Sequence, residues 1–249
     1  MRRLPFGVAF TLLILSACSV KADRMECPCY LTAAFDRAFS GRITLSGWQN
    51  ASCVFSEKAI EPNAGGTFVC PITRGVYEFC AGVGYNVISP GDQSDSLYLW
   101  SSEGPVDATG EDVYLPLSLD KQFATLSLDM VRPCEISVRG RVCGVDMFTM
   151  CPLGGDFRCE PSSGDGIHYV LRLPRQLPAP EGYEPLELWM LEEDGVPVSI
   201  PLGWMIEQSG YNWLARSLSD LEIRVDYIAR EVTIQVQEWG EGFIKRVEF

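Results

Sequence analysis

Between positions 221 and 237 apolar and polar residues alternate one for one, pause for a turn, and alternate again. Leu221, Ile223, Val225 and Tyr227 are separated by Glu222, Arg224 and Asp226. After Ala229-Arg230, Val232, Ile234 and Val236 are separated by Thr233 and Gln235. Successive side chains of a strand point to opposite faces, so a period of two dries one face and wets the other. A helix would need a period near 3.6. The stretch therefore reads as an antiparallel hairpin whose dry face must be covered by a second layer.

Shorter runs of the same kind occur at 30–36, 42–48, 67–72, 75–83, 96–100, 112–117, 122–131, 135–142, 169–174, 185–191 and 196–202, and 243–249 adds a last strand. Turn residues separate them, as in Pro62-Asn63-Ala64-Gly65-Gly66 and Ser89-Pro90-Gly91-Asp92. Asp194-Gly195, between Leu186/Leu188/Met190 and Val196/Val198/Ile200, has the chemistry of a type I′ hairpin turn. No helical period is sustained, and one short helix is expected over 213–220. Many short strands joined by turns imply an all-β chain of sandwich type. A length of 249 residues, 47 % of them apolar, suits two sandwiches better than one. The reading divides the mature chain into an N-terminal sandwich over 27–119 and a C-terminal one over 120–249.

The first residues set the compartment. Arg2 and Arg3 precede an apolar segment over 4–15 that is too short to span a bilayer as a helix. It ends in Leu15-Ser16-Ala17-Cys18, the pattern of a bacterial lipobox. Residues 1–17 are thus expected to be a lipoprotein signal peptide and Cys18 the lipidated residue, with 18–26 as a tether. One acyl chain holds a protein to a bilayer only reversibly, whereas several chains on one residue hold it firmly. Ser19 follows the cysteine rather than an Asp, which favours the outer membrane.

The net charge of −13 becomes −15 once Arg2 and Arg3 are cut away. Such a surface lacks the Lys/Arg clusters that phosphate binding needs, which excludes nucleic acid as a partner. Nine cysteines remain beside Cys18: Cys27, Cys29, Cys53, Cys70, Cys80, Cys134, Cys143, Cys151 and Cys159. Their spacings do not match the usual zinc pairs. They read as small apolar residues or as disulfides of open connectivity.

No catalytic constellation is present. His168 is the one histidine, and it opens a strand, where an ordinary surface role is expected. No metalloprotease, phosphate-loop, nucleophile-elbow or EF-hand motif occurs. Glu192-Glu193-Asp194 reads as a solvated hairpin tip, and Asp92, Asp95 and Asp112 have no calcium-ligand spacing. Trp48, Trp100, Trp189, Trp204, Trp213 and Trp239 mostly fall in strand patterns and are expected in the core. No cofactor and no enzymatic activity are expected.

An ordered set of segments carries a family resemblance. Cys18-Ser19-Val20-Lys21-Ala22-Asp23-Arg24 followed by Cys27-Pro28-Cys29-Tyr30-Leu31 resembles the start of the FimB/Mfa-type fimbrial anchor lipoproteins of Bacteroidales. Thr73-Arg74-Gly75-Val76-Tyr77, Gln93-Ser94-Asp95-Ser96-Leu97-Tyr98, Thr109-Gly110-Glu111 and Lys121-Gln122-Phe123-Ala124-Thr125 are similar to later family segments. So are Val138-Arg139-Gly140 with Cys143-Gly144, Arg172-Leu173-Pro174-Arg175-Gln176, Pro201-Leu202-Gly203, Gly210-Tyr211-Asn212-Trp213 and Ile223-Arg224-Val225-Asp226-Tyr227. The chain departs from the pattern at Ala108, where the family is expected to carry a cysteine.

The resemblance implies two tandem transthyretin-like Greek-key β-sandwiches. It implies an anchor or minor subunit, lipid-held at the outer membrane, that attaches or terminates a fimbrial polymer by strand complementation with other fimbrillin-like subunits. The rival reading is a surface glycan-binding lipoprotein for nutrient uptake.

Overall fold

The computed structural model describes residues 27–39, 41–84, 97–161, 165–177, 184, 186–191, 195–237 and 243–248. Leu15, Ser16, Ala17 and Cys18, the tether, Asp92, Asp95, residues 192–194 and Trp239 lie outside the described residues.

The first eight strands are β1 (Cys29–Phe35), β2 (Ile43–Gln49), β3 (Ser52–Ile60), β4 (Thr67–Ile72), β5 (Gly75–Val83), β6 (Tyr98–Ser101), β7 (Val106–Ala108) and β8 (Asp112–Leu117). The short β9 (Asp120–Lys121) leads to β10 (Phe123–Met130), β11 (Glu135–Val145), β12 (Pro152–Cys159) and β13 (His168–Pro174). Then come β14 (Leu186–Leu191), β15 (Pro197–Ile200), the helix α1 (Leu202–Gln208), β16 (Asp220–Asp226), β17 (Glu231–Gln237) and β18 (Phe243–Glu248).

These strands form two β-sandwiches in tandem. In the first, the sheet β4-β1-β8 faces β3-β2-β5-β6-β9, to which β7 is joined through β5. In the second, β13-β10-β16-β17-β18 faces β12-β11-β14-β15. The two share one wiring. β1 lies between antiparallel β4 and parallel β8, and β10 lies between antiparallel β13 and parallel β16. β2 lies between antiparallel β3 and β5, and β11 between antiparallel β12 and β14. The second sandwich then adds the hairpin β17–β18 outside β16.

Alternation makes each layer. Cys29, Leu31, Ala33 and Phe35 of β1 point inward to meet Leu45, Tyr77, Phe79 and Leu117. Leu126, Leu128, Leu171, Ile223 and Ile234 meet Val138, Leu188 and Phe157 across the second sandwich. The hairpin β16–β17 forms as its alternation predicts, with Val225 opposite Val232 and Ile223 opposite Ile234, and its turn takes in residues 227–230 rather than Ala229-Arg230 alone. Asp226 Oδ1 accepts the Ile228 and Ala229 N–H groups at 3.2 and 3.0 Å, and Arg230 takes the left-handed conformation at φ 56°. Gly195 likewise takes φ 80° in the β14–β15 connection.

The expected helix over 213–220 does not form. Its backbone is spent on tertiary bonds: the Trp213 and Arg216 carbonyls accept from Arg175, and the Leu218 N–H donates to the Lys121 carbonyl at 3.0 Å. The helix lies instead at Leu202–Gln208, where Leu202, Met205 and Ile206 bury one side. Consequently β15 stops at Ile200, just before Pro201. Strands β3 and β12 were not apparent in the sequence. Each is an edge strand with register shifts against its neighbour, and β12 carries Gly154-Gly155.

Candidate functional site

Segments far apart in the sequence meet at Arg175, whose side chain is buried. Its Nε donates to Gln122 Oε1 at 2.9 Å and its Nη2 to the Arg216 carbonyl at 3.0 Å, while Nη1 donates to the Trp213 carbonyl. Burial lowers the pKa of this guanidinium from the ordinary arginine value. Its charge is held by carbonyl oxygens. Gln122 in turn donates from Nε2 to the Asp120 and Arg216 carbonyls at 3.2 and 3.3 Å, and its N–H reaches the Leu97 carbonyl at 2.9 Å. Three segments of the family resemblance, at 121–125, 172–176 and 210–213, thus converge on one node where the chain passes between sandwiches.

Beside the node lies a cavity of about 530 Å³. Phe123 opens β10 on the outer side of its sheet and is buried because Tyr98 packs edge-on against it, ring centroids 5.6 Å apart. Three cations surround this aromatic pair. The Arg37 guanidinium lies 4.9 Å from the Tyr98 centroid, Lys121 Nζ 4.8 Å from that of Phe123, and the Arg172 guanidinium 6.0 Å from the latter. Asp220 pairs with Lys121 and accepts the Thr125 N–H at 2.6 Å. These bonds hold its carboxyl below the usual range against the opposing effect of burial. Ser217 and Ser219 complete the wall.

A second hollow, of about 680 Å³, opens over β11, β12 and β14. The Arg139 guanidinium stacks 4.2 Å over the Trp189 ring, whose Nε1 donates to Glu187 Oε2 at 2.8 Å. Arg158 pairs with Glu160 at its rim.

The sheet edges differ in how they are protected. β12 presents Asp156 and Arg158, and β13 presents His168 and Arg172, all exposed. Charge on an edge discourages further pairing. β8 is different. Beyond Asp112 it carries no charge, Tyr114 is 64 % exposed, and no strand among the described residues pairs with its far side. The equivalent strand of the second sandwich, β16, is extended there by β17 and β18.

His168 is exposed at the start of β13, with Nδ1 2.7 Å from Asp129 Oδ1. Asp112 lies exposed on β8. Among the described tryptophans only Trp213 is fully buried in the core, at 2 % exposure, while half-buried Trp100 packs against the core of the first sandwich. Trp48 and Trp189 are half-buried on outer faces, and Trp204 is 44 % exposed on α1. Strand membership does not by itself say which face a residue takes. The described cysteines are all unbridged, with Cys29, Cys70, Cys80 and Cys159 buried. Among the described residues no group of His, Cys, Asp and Glu is arranged to hold a metal, and no helix is long and apolar enough to cross a membrane. The sequence reading missed the Arg37–Tyr98–Phe123–Arg172 corner. Its members belong to elements whose periodicity says nothing of their mutual approach.

No protein-family model matches the chain, and no curated protein matches it in sequence. Solved structures do match its fold. A candidate polysaccharide-binding protein from Bacteroides thetaiotaomicron is 14 % identical with a TM-score of 0.61, over 88 % of this chain and 98 % of that one. The fimbrial anchor protein Mfa2 from Porphyromonas gingivalis is 12 % identical with a TM-score of 0.59, over 86 % of this chain and 98 % of that one. A candidate adhesin from B. thetaiotaomicron is 15 % identical with a TM-score of 0.53, over 85 % and 97 %. The resemblance read from the sequence segments therefore extends to the fold: this chain is a tandem β-sandwich protein of the architecture found in a fimbrial anchor and in these Bacteroides proteins.

Proposed function

We propose that this protein is a lipid-anchored anchor or minor subunit of a fimbrial polymer, held at the outer membrane through acyl chains on Cys18. The observation that carries the reading is the correspondence of fold with a fimbrial anchor along almost the whole of both chains. The lipobox at Leu15-Ser16-Ala17-Cys18 supports attachment at the membrane end of a filament. A non-enzymatic role fits the anchor and adhesin neighbours.

Strand complementation has a natural acceptor in the far edge of β8. The second sandwich carries two further strands at the equivalent edge, so this wiring accommodates an added strand there. An incoming strand would gain main-chain hydrogen bonds along the edge and side-chain contact with Tyr114. Pro116 is tolerated in β8 because it needs no N–H on an unpaired side.

Cross-linked pull-down of the tagged protein from its native cells, read by mass spectrometry, tests this. A ladder of other β-sandwich subunits is expected, and Cys18→Ala is expected to release whole filaments into the medium. Recovery of transporter components without such subunits would refute it. That outcome would favour the second reading, a surface glycan-binding lipoprotein, for which the Arg139–Trp189 hollow and the neighbour named for polysaccharide binding speak.

A further inference from the structure

The geometry points to the cavity between the two sandwiches as a binding site for a sugar ring that bears an oxyanion, either a carboxylate or a sulfate ester. This goes beyond the assembly reading and does not depend on it.

Charge is the first argument. The cavity is lined by Arg37, Lys121 and Arg172 against the single carboxylate of Asp220, a net of +2 in a protein of formal charge −13. Lys121 and Asp220 already satisfy one another. The surplus therefore belongs to the two guanidiniums. Arg37 donates from Nη2 to the Leu119 carbonyl at 2.7 Å, which fixes its plane. A guanidinium has five N–H donors in a fork that matches a carboxylate or sulfate, so one such bond leaves capacity for an oxyanion.

Size and lining argue for a sugar rather than a bare ion. A volume of about 530 Å³ falls in the range of small-molecule sites and far exceeds one oxyanion. Thr125, Ser217 and Ser219 and the Lys121–Asp220 pair offer donors and acceptors suited to ring hydroxyls. Phe123 and half-buried Tyr98 supply an apolar floor. An acidic peptide fits less well. β10 is paired on both sides with β13 and β16, the edge strand β9 is only two residues long, and the open edge of β13 carries exposed His168 and Arg172, so main-chain bonding to a peptide is poorly served here. The acidic surface elsewhere does not forbid an acidic ligand, because at physiological salt charges beyond roughly 8 Å are largely screened.

The test is calorimetric titration of the purified full-length mature protein with galacturonic acid, galactose 6-sulfate, galactose and sodium sulfate. Either acidic sugar is expected to bind at least about tenfold more tightly than galactose or free sulfate, since charge-assisted bidentate bonds and ring contacts act together. The sugar that binds identifies whether a carboxylate or a sulfate is read. Arg37→Gln and Arg172→Gln should each weaken binding, and the double variant should abolish it with the melting temperature little changed, because both side chains lie at the surface. Equal binding of galactose would overturn the oxyanion, and equal binding of sodium sulfate would overturn the sugar. Binding undiminished in the double variant, or absent at about 10 mM ligand, would overturn the site itself.

Discussion

Arg175 Nε donates to Gln122 Oε1 at 2.9 Å, and both side chains are shut off from solvent. Two segments separated by some fifty residues are thereby locked where the chain leaves one sandwich for the other. The same guanidinium holds the carbonyls of Trp213 and Arg216. Replacing it by Met keeps much of the volume but strands buried acceptors, each costing about 1–3 kcal/mol. Arg175→Met is expected to lower the unfolding free energy by about 3 kcal/mol or more, read as a shift in the denaturant midpoint. A shift under about 1 kcal/mol would mean that the node is not structural.

Tyr114 lies on β8 two residues before Pro116, so the backbones of both face the same side of the strand. Pro116 has no N–H to give and so occupies the side away from β1. Tyr114→Pro should therefore spare the β1–β8 ladder while removing a donor from the open edge. The variant is expected to keep its circular dichroism spectrum and to lose capture of other subunits in the cross-linking experiment. Undiminished capture would show that β8 is not the acceptor.

His168 is the one histidine, so its imidazole C2 proton can be followed by NMR without assignment of others. The hydrogen bond to Asp129, helped by the nearby charge of Asp165, raises its pKa above the ordinary 6.5. A raised folded value means that the pair's contribution to stability is fully present below the unfolded pKa and is lost as pH rises through the folded one. Asp129→Asn is expected to move the midpoint back down toward the ordinary value. A midpoint unmoved by that change would place the cause elsewhere.

Cysteine reactivity should divide by exposure. Cys27, Cys53 and Cys151 are exposed, whereas burial pushes the thiols of Cys70 and Cys159 up to about 11. The thiolate is the reactive form, so both shielding and a raised pKa slow attack. Brief treatment of the folded protein with a maleimide, followed by peptide mapping, should label the exposed three and spare Cys70 and Cys159. Fast labelling of the buried pair would contradict the packing of β4 and β12.

Legibility in the sequence followed burial. Strands with one dry face, such as Thr67–Ile72, Gly75–Val83 and Asp112–Leu117, were readable to the residue because each inward side chain must be apolar. Ser52–Ile60 was not, because its register shifts against β2 and its largely exposed side chains weaken the alternation. The helix was misplaced because Trp213 and Leu218 are apolar for a loop, and nothing local reveals that their backbone is engaged by Arg175 and Lys121. The shared wiring of the two sandwiches was implied by the family resemblance and not by periodicity, since it resides in strand order and not in repeated residues.

Sequence alone determined that the chain is built of strands and that its C-terminal stretch forms an antiparallel hairpin with one dry face, and it led to the expectation of an exported, lipid-bearing N-terminus. These follow from local rules: a period of two, turn chemistry, and a short apolar run before a cysteine. Tertiary structure decided which edges are open and which side chains meet. Arg37 and Arg172 are brought to one corner because Tyr98 packs on Phe123 when the sandwiches are joined. That contact spans sheets and depends on the folding of both, so no window of neighbouring residues contains it.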